Sequence, residues 1–326
     1  MNQLQKLIKQ DYSKIKDNVL IKLETSDELK FINEGSIQTE NHFFYPALDG
    51  NGLPNVENVL ALLVGSVRRF SLSAKELEEH QKLTSAGNDI EASIIEQRGK
   101  QRFVKYAEGK AKNAGEIGEL TLFVILEAFL NAPKIASKMK LKTSNAMHVH
   151  GADALHATLG DDDILTLILG ESKFRKERST GLKDAIESVK CLISDSLKIN
   201  KEMELIEANI GHEILDDQLK EKIIKYFGQF TPESNQTAKT IAILLGYDRK
   251  SLYDGLPSIT RPKERIAELE NRYLKHVSEA VTEFSKILSN ENNSNFTQVK
   301  FLYMLLPFSD LNTLKEQFYK MAGLNK

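Results

Sequence analysis

The sequence contains little cysteine, little proline and no tryptophan. Cys191 is the only cysteine among 326 residues, so the chain cannot form an internal disulfide, which is typical of proteins in a reducing compartment. Only 7 prolines are present, and no low-complexity tract interrupts the chain. These absences exclude a disulfide-stabilised secreted module and a disordered linker.

Long apolar runs and strong net charge are absent as well. The most apolar run, LTLFVILEAFL (120–130), is too short to span a bilayer and includes Glu127. The stretch MNQLQKLIKQDYSKIKDN is charged and lacks the apolar core of a signal peptide. We therefore expect a cytoplasmic protein. The net charge of −2 and the pI near 6.4 exclude a protein whose whole surface binds nucleic acid electrostatically.

The composition that remains is globular, with 41% hydrophobic and 28% charged residues. The spacing of the apolar residues predicts helices at 56–70, 73–83, 110–130 and 262–288, and one that begins near 179. It predicts strands at 19–24, 135–141, 154–159, 164–169, 240–247 and 299–308. This order predicts an α/β fold with helices on the faces of a sheet. We predict an N-terminal accessory region at 1–104 and a second domain at 105–326.

The segments ALHATL, GDDD and ILTLIL predict a β-hairpin that carries carboxylates near its open end. In a hairpin centred on Asp162, Asp153 lies opposite Glu171, with Cβ atoms about 4.5–5.5 Å apart. The two-residue period of a strand also puts Glu171 and Lys173 on one face. Two carboxylates that close repel each other unless a cation lies between them. The trio therefore predicts a divalent-metal site with a lysine beside it; two ordinary surface carboxylates are the alternative.

Such a site has a clear chemical use. Hard oxygen ligands suit Mg²⁺ or Mn²⁺, which keep several waters and accept phosphate oxygens. A bound metal lowers the pKa of water and neutralises charge on a scissile phosphate. Lys173 could orient or deprotonate that water, or stabilise the phosphate in the transition state. These residues point to metal-dependent hydrolysis of phosphodiester bonds.

The same residues resemble a known nuclease signature. GADALHA (151–157) and LILGESK (167–173) resemble the PD-(D/E)xK motif, with Ala152 at the place of the proline. GEIGELTLFVIL (115–126) resembles the G-x-x-G-E opening helix of several nucleases of that superfamily. The resemblance implies a restriction-endonuclease-like core, a mixed sheet flanked by helices. It also implies that Glu119 adds a carboxylate near the metal, with Glu116 as the other choice on this helix.

At finer grain, the chain resembles the HamA family, the effector of the Hachiman antiphage system. The resemblance lies in GEIGELTLFVILE, HGADALHAT and LGESKFRKE, within 115–177. It implies a DNA nuclease that works with a helicase partner, HamB, which restrains it until phage infection. The related AbpA-type phage-resistance proteins stay open as an alternative.

Further polar residues surround the motif. His148 and His150 form an H-x-H pattern that is used for zinc. Strand parity points them away from Asp153, which favours contacts around the metal site or with nucleic acid. The cluster of Arg175, Lys176 and Arg178 is predicted to contact DNA phosphates, because it follows the metal site. Lys190, on the next helix, is either near the active site or a solvated lysine.

Two other functions fit the same sequence. A catalytically inactive nuclease fold could serve as a partner-binding or DNA-sensing module, although a scaffold has no need for paired carboxylates. A stand-alone restriction-type endonuclease would not explain the near-neutral charge. The accessory region lacks a catalytic signature, so it is either a docking surface for the partner or a structural cap on the sheet.

Overall fold

The computed structural model describes residues 3–34, 37–108, 115–136, 152–193, 196–228, 231–291 and 294–323, and within them the chain is a mixed α/β protein, as predicted. The strands are β1 (Leu20–Lys22), β2 (Phe31–Glu34), β3 (Ile37–Pro46), β4 (Ala154–Leu159), β5 (Leu165–Phe174), β6 (Thr237–Asp248) and β7 (Lys300–Phe308). The α-helices are α1 (Ser13–Asn18), α2 (Asp27–Lys30), α3 (Val56–Ser71), α4 (Ala74–Ser85), α5 (Asp89–Glu108), α6 (Gly115–Leu130), α7 (Arg178–Ile193), α8 (Ser196–Glu213), α9 (Asp217–Lys225), α10 (Pro262–Ser289) and α11 (Leu311–Met321). None of these helices is both long and apolar enough to cross a membrane.

The chain folds into two compact units, each built from three separate stretches. The first unit comprises Met1–Gln10, Leu63–Gly170 and Leu192–Lys239. The second comprises Asp11–Leu62, Glu171–Cys191 and Thr240–Lys326. The predicted division into 1–104 and 105–326 stays a prediction.

The second unit contains a mixed sheet. Its strands follow the order β1-β3-β7-β6-β5, and β2 also pairs with β3. β3 and β6 run parallel to β7, whereas β1 and β2 run antiparallel to β3. Three of these strands, β1, β2 and β3, come from the predicted accessory region, which therefore builds part of the sheet.

Helix α10 packs on this sheet, which confirms the role predicted for it. Tyr273 lies edge-on to Phe43, and Phe284 stacks on Tyr303 with 4.1 Å between ring centroids. The apolar stripe of the helix is buried, as expected for a helix that covers a sheet.

The first unit is built around α6, in which almost every residue is buried. The buried side chains include three carboxylates, Glu116, Glu119 and Glu127. A buried carboxylate needs polar partners, because it has lost its water. Glu127 accepts a hydrogen bond from Nη2 of Arg69, on α3, at 3.0 Å. The contacts of Glu119 belong to the candidate site.

β4 and the start of β5 form the predicted hairpin. Its register pairs Ala154 with Gly170 at one end and Leu159 with Leu165 at the other, which confirms the predicted centre at Asp162. The acidic residues at 161–163 form the turn, as predicted, and Asp163 adopts a left-handed φ of 57°. Lys222 of α9 holds this turn through an ion pair of 2.7 Å with Asp163.

Gly170 lets α6 and β4 come close to the end of this ladder. A Cβ there would lie 2.6 Å from Cδ2 of Leu122 and 2.8 Å from Cβ of Ala154. Both distances are shorter than a carbon–carbon contact allows, so the packing requires glycine at this position.

Candidate active site

Asp153 lies just before β4, where the hairpin ladder ends. Its backbone N–H donates to the carbonyl of Gly170 at 2.6 Å. The last ladder pair is Ala154 with Gly170, so this bond departs from the register by one residue. Asp153 is thereby anchored to the peptide unit that leads into Glu171.

Glu171 and Lys173 follow on β5, in the second unit. Oε1 of Glu171 and Nζ of Lys173 form an ion pair of 2.5 Å, and both side chains have little exposure to solvent. Residues two apart on a strand lie on one face, so the predicted common face of these two side chains is confirmed.

In the first unit, Glu119 and Asp153 line one cavity together with Tyr106, Lys134 and His156. The cavity has a volume of about 20 Å³. A volume of this size holds one water molecule or one small ion, provided that polar groups surround it. Two carboxylates supply oxygen donors of the kind that Mg²⁺ and Mn²⁺ prefer. The donor set therefore fits such an ion.

Of the two glutamates near the start of α6, Glu119 is the one at the cavity. The hydroxyl of Tyr106 donates a hydrogen bond to its Oε2. Glu116 is also buried, but it is not among the described residues that line the cavity. The geometry thus favours Glu119 over Glu116 as the helix carboxylate.

His156 forms part of the cavity wall in the neutral state. It is fully buried, and its Nδ1 lies 2.8 Å from the carbonyl oxygen of Ala132, to which it must donate. Burial lowers the pKa of His156 to about 4, against the weaker opposing effect of this hydrogen bond. The imidazole is therefore uncharged at neutral pH.

Lys134 also lines the cavity. Its Nζ donates to the carbonyl oxygens of Arg69 and Leu72, at 3.0 and 2.7 Å, at the end of α3. It also lies 3.6 Å from Oε1 of Glu213, the last residue of α8. Both charged side chains are nearly inaccessible to solvent, so this is a buried cationic anchor between helices and the cavity.

The basic cluster after Glu171 is largely paired within the second unit. Arg175 donates to Asp184 at 2.8 Å. Arg178 pairs with Glu283 at 2.6 Å, and its side chain is only 15% exposed. Lys176 is exposed. Of the three cations predicted to contact DNA, Lys176 is thus the most accessible.

The remaining predicted residues fall into two groups. Lys190 pairs with Glu291 at 2.7 Å in the second unit. His148 and His150 lie outside the described residues. Among the described residues, no group of three or more His, Cys, Asp or Glu side chains is placed to hold a metal ion. The convergence of Glu119, Asp153, Glu171 and Lys173 stays a prediction.

Tyr106 and Lys134 were missed as site residues by the sequence reasoning. Each reaches the cavity from an element whose position depends on long-range packing, so no local motif marks it. The one available signal was Glu119 itself, since a buried carboxylate needs a donor.

A family model described as HamA matches residues 18–322, a range that includes every candidate residue. No curated protein matches the chain. The chain therefore belongs to the HamA family, and this membership implies a role in antiphage defence.

Proposed function

We propose that this protein is a metal-dependent deoxyribonuclease, the effector of an antiphage complex that contains a helicase. Asp153 and Glu171 hold Mg²⁺ or Mn²⁺, Glu119 assists, and Lys173 acts on the attacking water or the phosphate. Membership of the HamA family supports the defence role. The order of carboxylates and lysine along the chain supports the nuclease chemistry.

The observation that carries the proposal is the anchoring of Asp153. Its N–H donates to the carbonyl of Gly170, the residue next to Glu171. Its side chain lines the same cavity as Glu119. The two carboxylates suit Mg²⁺, because proteins usually hold this ion through one or two carboxylates.

When bound, the metal would supply Lewis acidity and a more acidic water. The protein residues do the rest. Glu119, held by Tyr106, contributes a fixed negative charge at the cavity. Lys173, on the same strand face as Glu171, offers an ammonium that neutralises this carboxylate and can donate to a phosphate oxygen. This lysine also fixes the position of Glu171 before any metal binds.

The pairing of the basic cluster bears on DNA affinity. Arg175 and Arg178 already have carboxylate partners, so two of the three cations of the basic cluster are engaged within the protein. DNA affinity scales with the number of phosphates that protein cations neutralise. We expect the isolated chain to bind DNA weakly and a helicase partner, HamB, to supply most of the affinity. Tight binding of duplex DNA by the isolated chain at physiological salt would contradict this part.

Deleting residues 1–100 would not test partner binding, because residues Gln38 to Phe43 of β3 pair with β7 in the sheet. Such a deletion would remove β1, β2 and β3 from the sheet and unfold the second unit. Co-purification of the full chain with the helicase is the appropriate measurement.

The activity is tested with the full chain, alone and with the helicase. DNA cleavage should require Mg²⁺ or Mn²⁺ and stop in EDTA. A protein that never cleaves DNA, yet still captures the helicase, would favour the inactive partner-binding module instead. A different result would be that the purified wild type contains one zinc ion per chain, and that the double variant His148→Ala/His150→Ala loses both this zinc and DNA cleavage. That result would assign the activity to a zinc site instead of the carboxylate site.

A further inference from the structure

Tyr106 connects helix α5 to the candidate active site. Its hydroxyl donates a hydrogen bond to Oε2 of Glu119. Tyr106, Glu119 and Asp153 line the same cavity. The tyrosine therefore contacts the helix carboxylate that borders the cavity.

Aromatic packing on Phe70 of α3 connects this part of α5 to α6. Phe103 lies one turn before Tyr106, and its ring centroid is 6.2 Å from that of Phe70. Phe70 in turn lies 5.6 Å from Phe123, one turn after Glu119. Residues three or four apart share one face of a helix. Phe70 of α3 thus joins α5 and α6 through side chains that lie one turn away from the Tyr106–Glu119 hydrogen bond.

A bidentate ion pair between Arg102 and Glu76 connects the same part of α5 to α4. Nη1 of Arg102 donates to Oε2 of Glu76 at 2.9 Å, and Nη2 lies 2.8 Å from Oε1. Glu76 also belongs to the capping box of α4, in which it and Ser73 bond reciprocally. Because α5 is held on two sides, Tyr106 is presented to Glu119 in a fixed position.

We propose that Tyr106 is the positioning residue of the metal site and acts through Glu119. The inference rests on the proposed function and adds one residue to it. A glutamate side chain has several rotamers, and a hydrogen bond to one carboxylate oxygen selects one of them. The same bond replaces part of the water that a buried carboxylate has lost. Partners of this kind orient metal-ligating side chains and raise metal affinity.

The test is Mn²⁺ binding by the full chain, measured by titration calorimetry with the metal alone. Tyr106→Phe removes only the hydroxyl, and we expect the Mn²⁺ affinity to fall about 10- to 100-fold. The matched control is Tyr45→Phe, which removes a 2.8 Å hydrogen bond to Glu270 in the second unit. This control should bind Mn²⁺ like the wild type.

A double-mutant cycle separates positioning from general structural support. Glu119→Gln should weaken Mn²⁺ binding, and adding Tyr106→Phe should weaken it no further, because the tyrosine acts through this carboxylate. A purely structural tyrosine would give additive losses instead. Unchanged Mn²⁺ affinity in Tyr106→Phe, or additive losses in the double variant, overturns the inference.

The same titrations distinguish this inference from the proposed function. If Mn²⁺ binding depends on Glu171 but not on Tyr106, only the role proposed for the tyrosine is wrong. If the wild type binds no Mn²⁺, or if Glu171→Gln binds it as tightly as the wild type, the proposed metal site is wrong. The role of Tyr106 is then wrong as well.

Discussion

Replacing Lys134 by methionine should destabilise the first unit strongly. The substitution removes the donor to two carbonyl oxygens at 2.7 and 3.0 Å and the cation beside Glu213. Glu213 is 4% exposed, so water cannot replace the lost partner. Breaking a buried ion pair by removing one member costs about 3–5 kcal/mol. The two carbonyl hydrogen bonds contribute to the same loss, so we expect a free energy of unfolding lower by about 4 kcal/mol.

The pH dependence of this loss gives a second signature. Burial raises the pKa of Glu213 above its ordinary value of 4.5, and Lys134 opposes that rise. Without the lysine the folded-state pKa rises further, so the folded chain holds a proton that the unfolded chain has released. Stability then falls as the pH rises above 4.5. The deficit of Lys134→Met should therefore grow from pH 4.5 towards neutral pH, whereas the part due to the two lost carbonyl hydrogen bonds stays the same at every pH.

Urea unfolding followed by circular dichroism measures both effects. A loss of about 4 kcal/mol corresponds to a melting temperature lower by roughly 10 °C in a domain of 150–250 residues. Glu213→Gln in the Lys134→Met background should restore part of the stability, because it removes the stranded charge. If Lys134→Met is as stable as the wild type at pH 7, or if its loss of stability does not depend on pH, then Lys134 does not stabilise the first unit through Glu213.

Two further predictions concern the surroundings of the site. Gly170→Ala would place a Cβ 2.6 Å from Leu122, so the free energy of unfolding should fall by about 1–3 kcal/mol. The control is Gly65→Ala in α3, where the space around the Cβ is open, and this variant should be no less stable than the wild type. Equal melting temperatures for the two variants would contradict the close packing at Gly170. His156 has its pKa lowered by burial from 6.5 to about 4, so the unfolded chain takes up a proton first and stability is lost as the pH falls through that window. Between pH 6.5 and about 4, His156→Gln should reduce the slope of the unfolding free energy against pH by about 1.4 kcal/mol per pH unit. An unchanged slope would mean that the folded chain does not hold this imidazole buried and neutral.

The hairpin and the long helix were predictable because local patterns determine them. The turn residues at 160–163 fix the register, and Pro262 starts α10 as expected. The common face of Glu171 and Lys173 follows from the strand period alone. These parts of the candidate site required no knowledge of distant packing.

β3 could not be predicted from its sequence, because it buries polar side chains. Thr39, Asn41 and His42 are all buried in it, so the apolar signal of a strand is broken. Their polar groups are partly satisfied by residues that only the fold brings near: Asn41 donates to the carbonyl of Leu29 at 2.8 Å. The helices α8 and α9 were missed as well.

The departure of Asp153 from the hairpin register was also beyond the sequence. An alternating pattern predicts a regular ladder, and the ladder is regular from Ala154 onward. The bond from Asp153 to Gly170 is made at the same glycine around which α6 and β4 pack closely. Tyr106 was missed for the same kind of reason, since its partner Glu119 lies on another helix.

The central claim is that Asp153, Glu171 and Lys173 carry metal-dependent DNA cleavage. The most direct measurement compares DNA cleavage in Mg²⁺ by the wild type and by Asp153→Asn, Glu171→Gln and Lys173→Met, each with the helicase partner present. The matched control is Glu40→Gln, which removes one carboxylate from the 2.6 Å Lys300–Glu40 ion pair of the second unit. Losing a metal ligand or the lysine should abolish cleavage while the fold is retained, and the control should cleave like the wild type. Wild-type cleavage by Glu171→Gln and Lys173→Met would contradict the account.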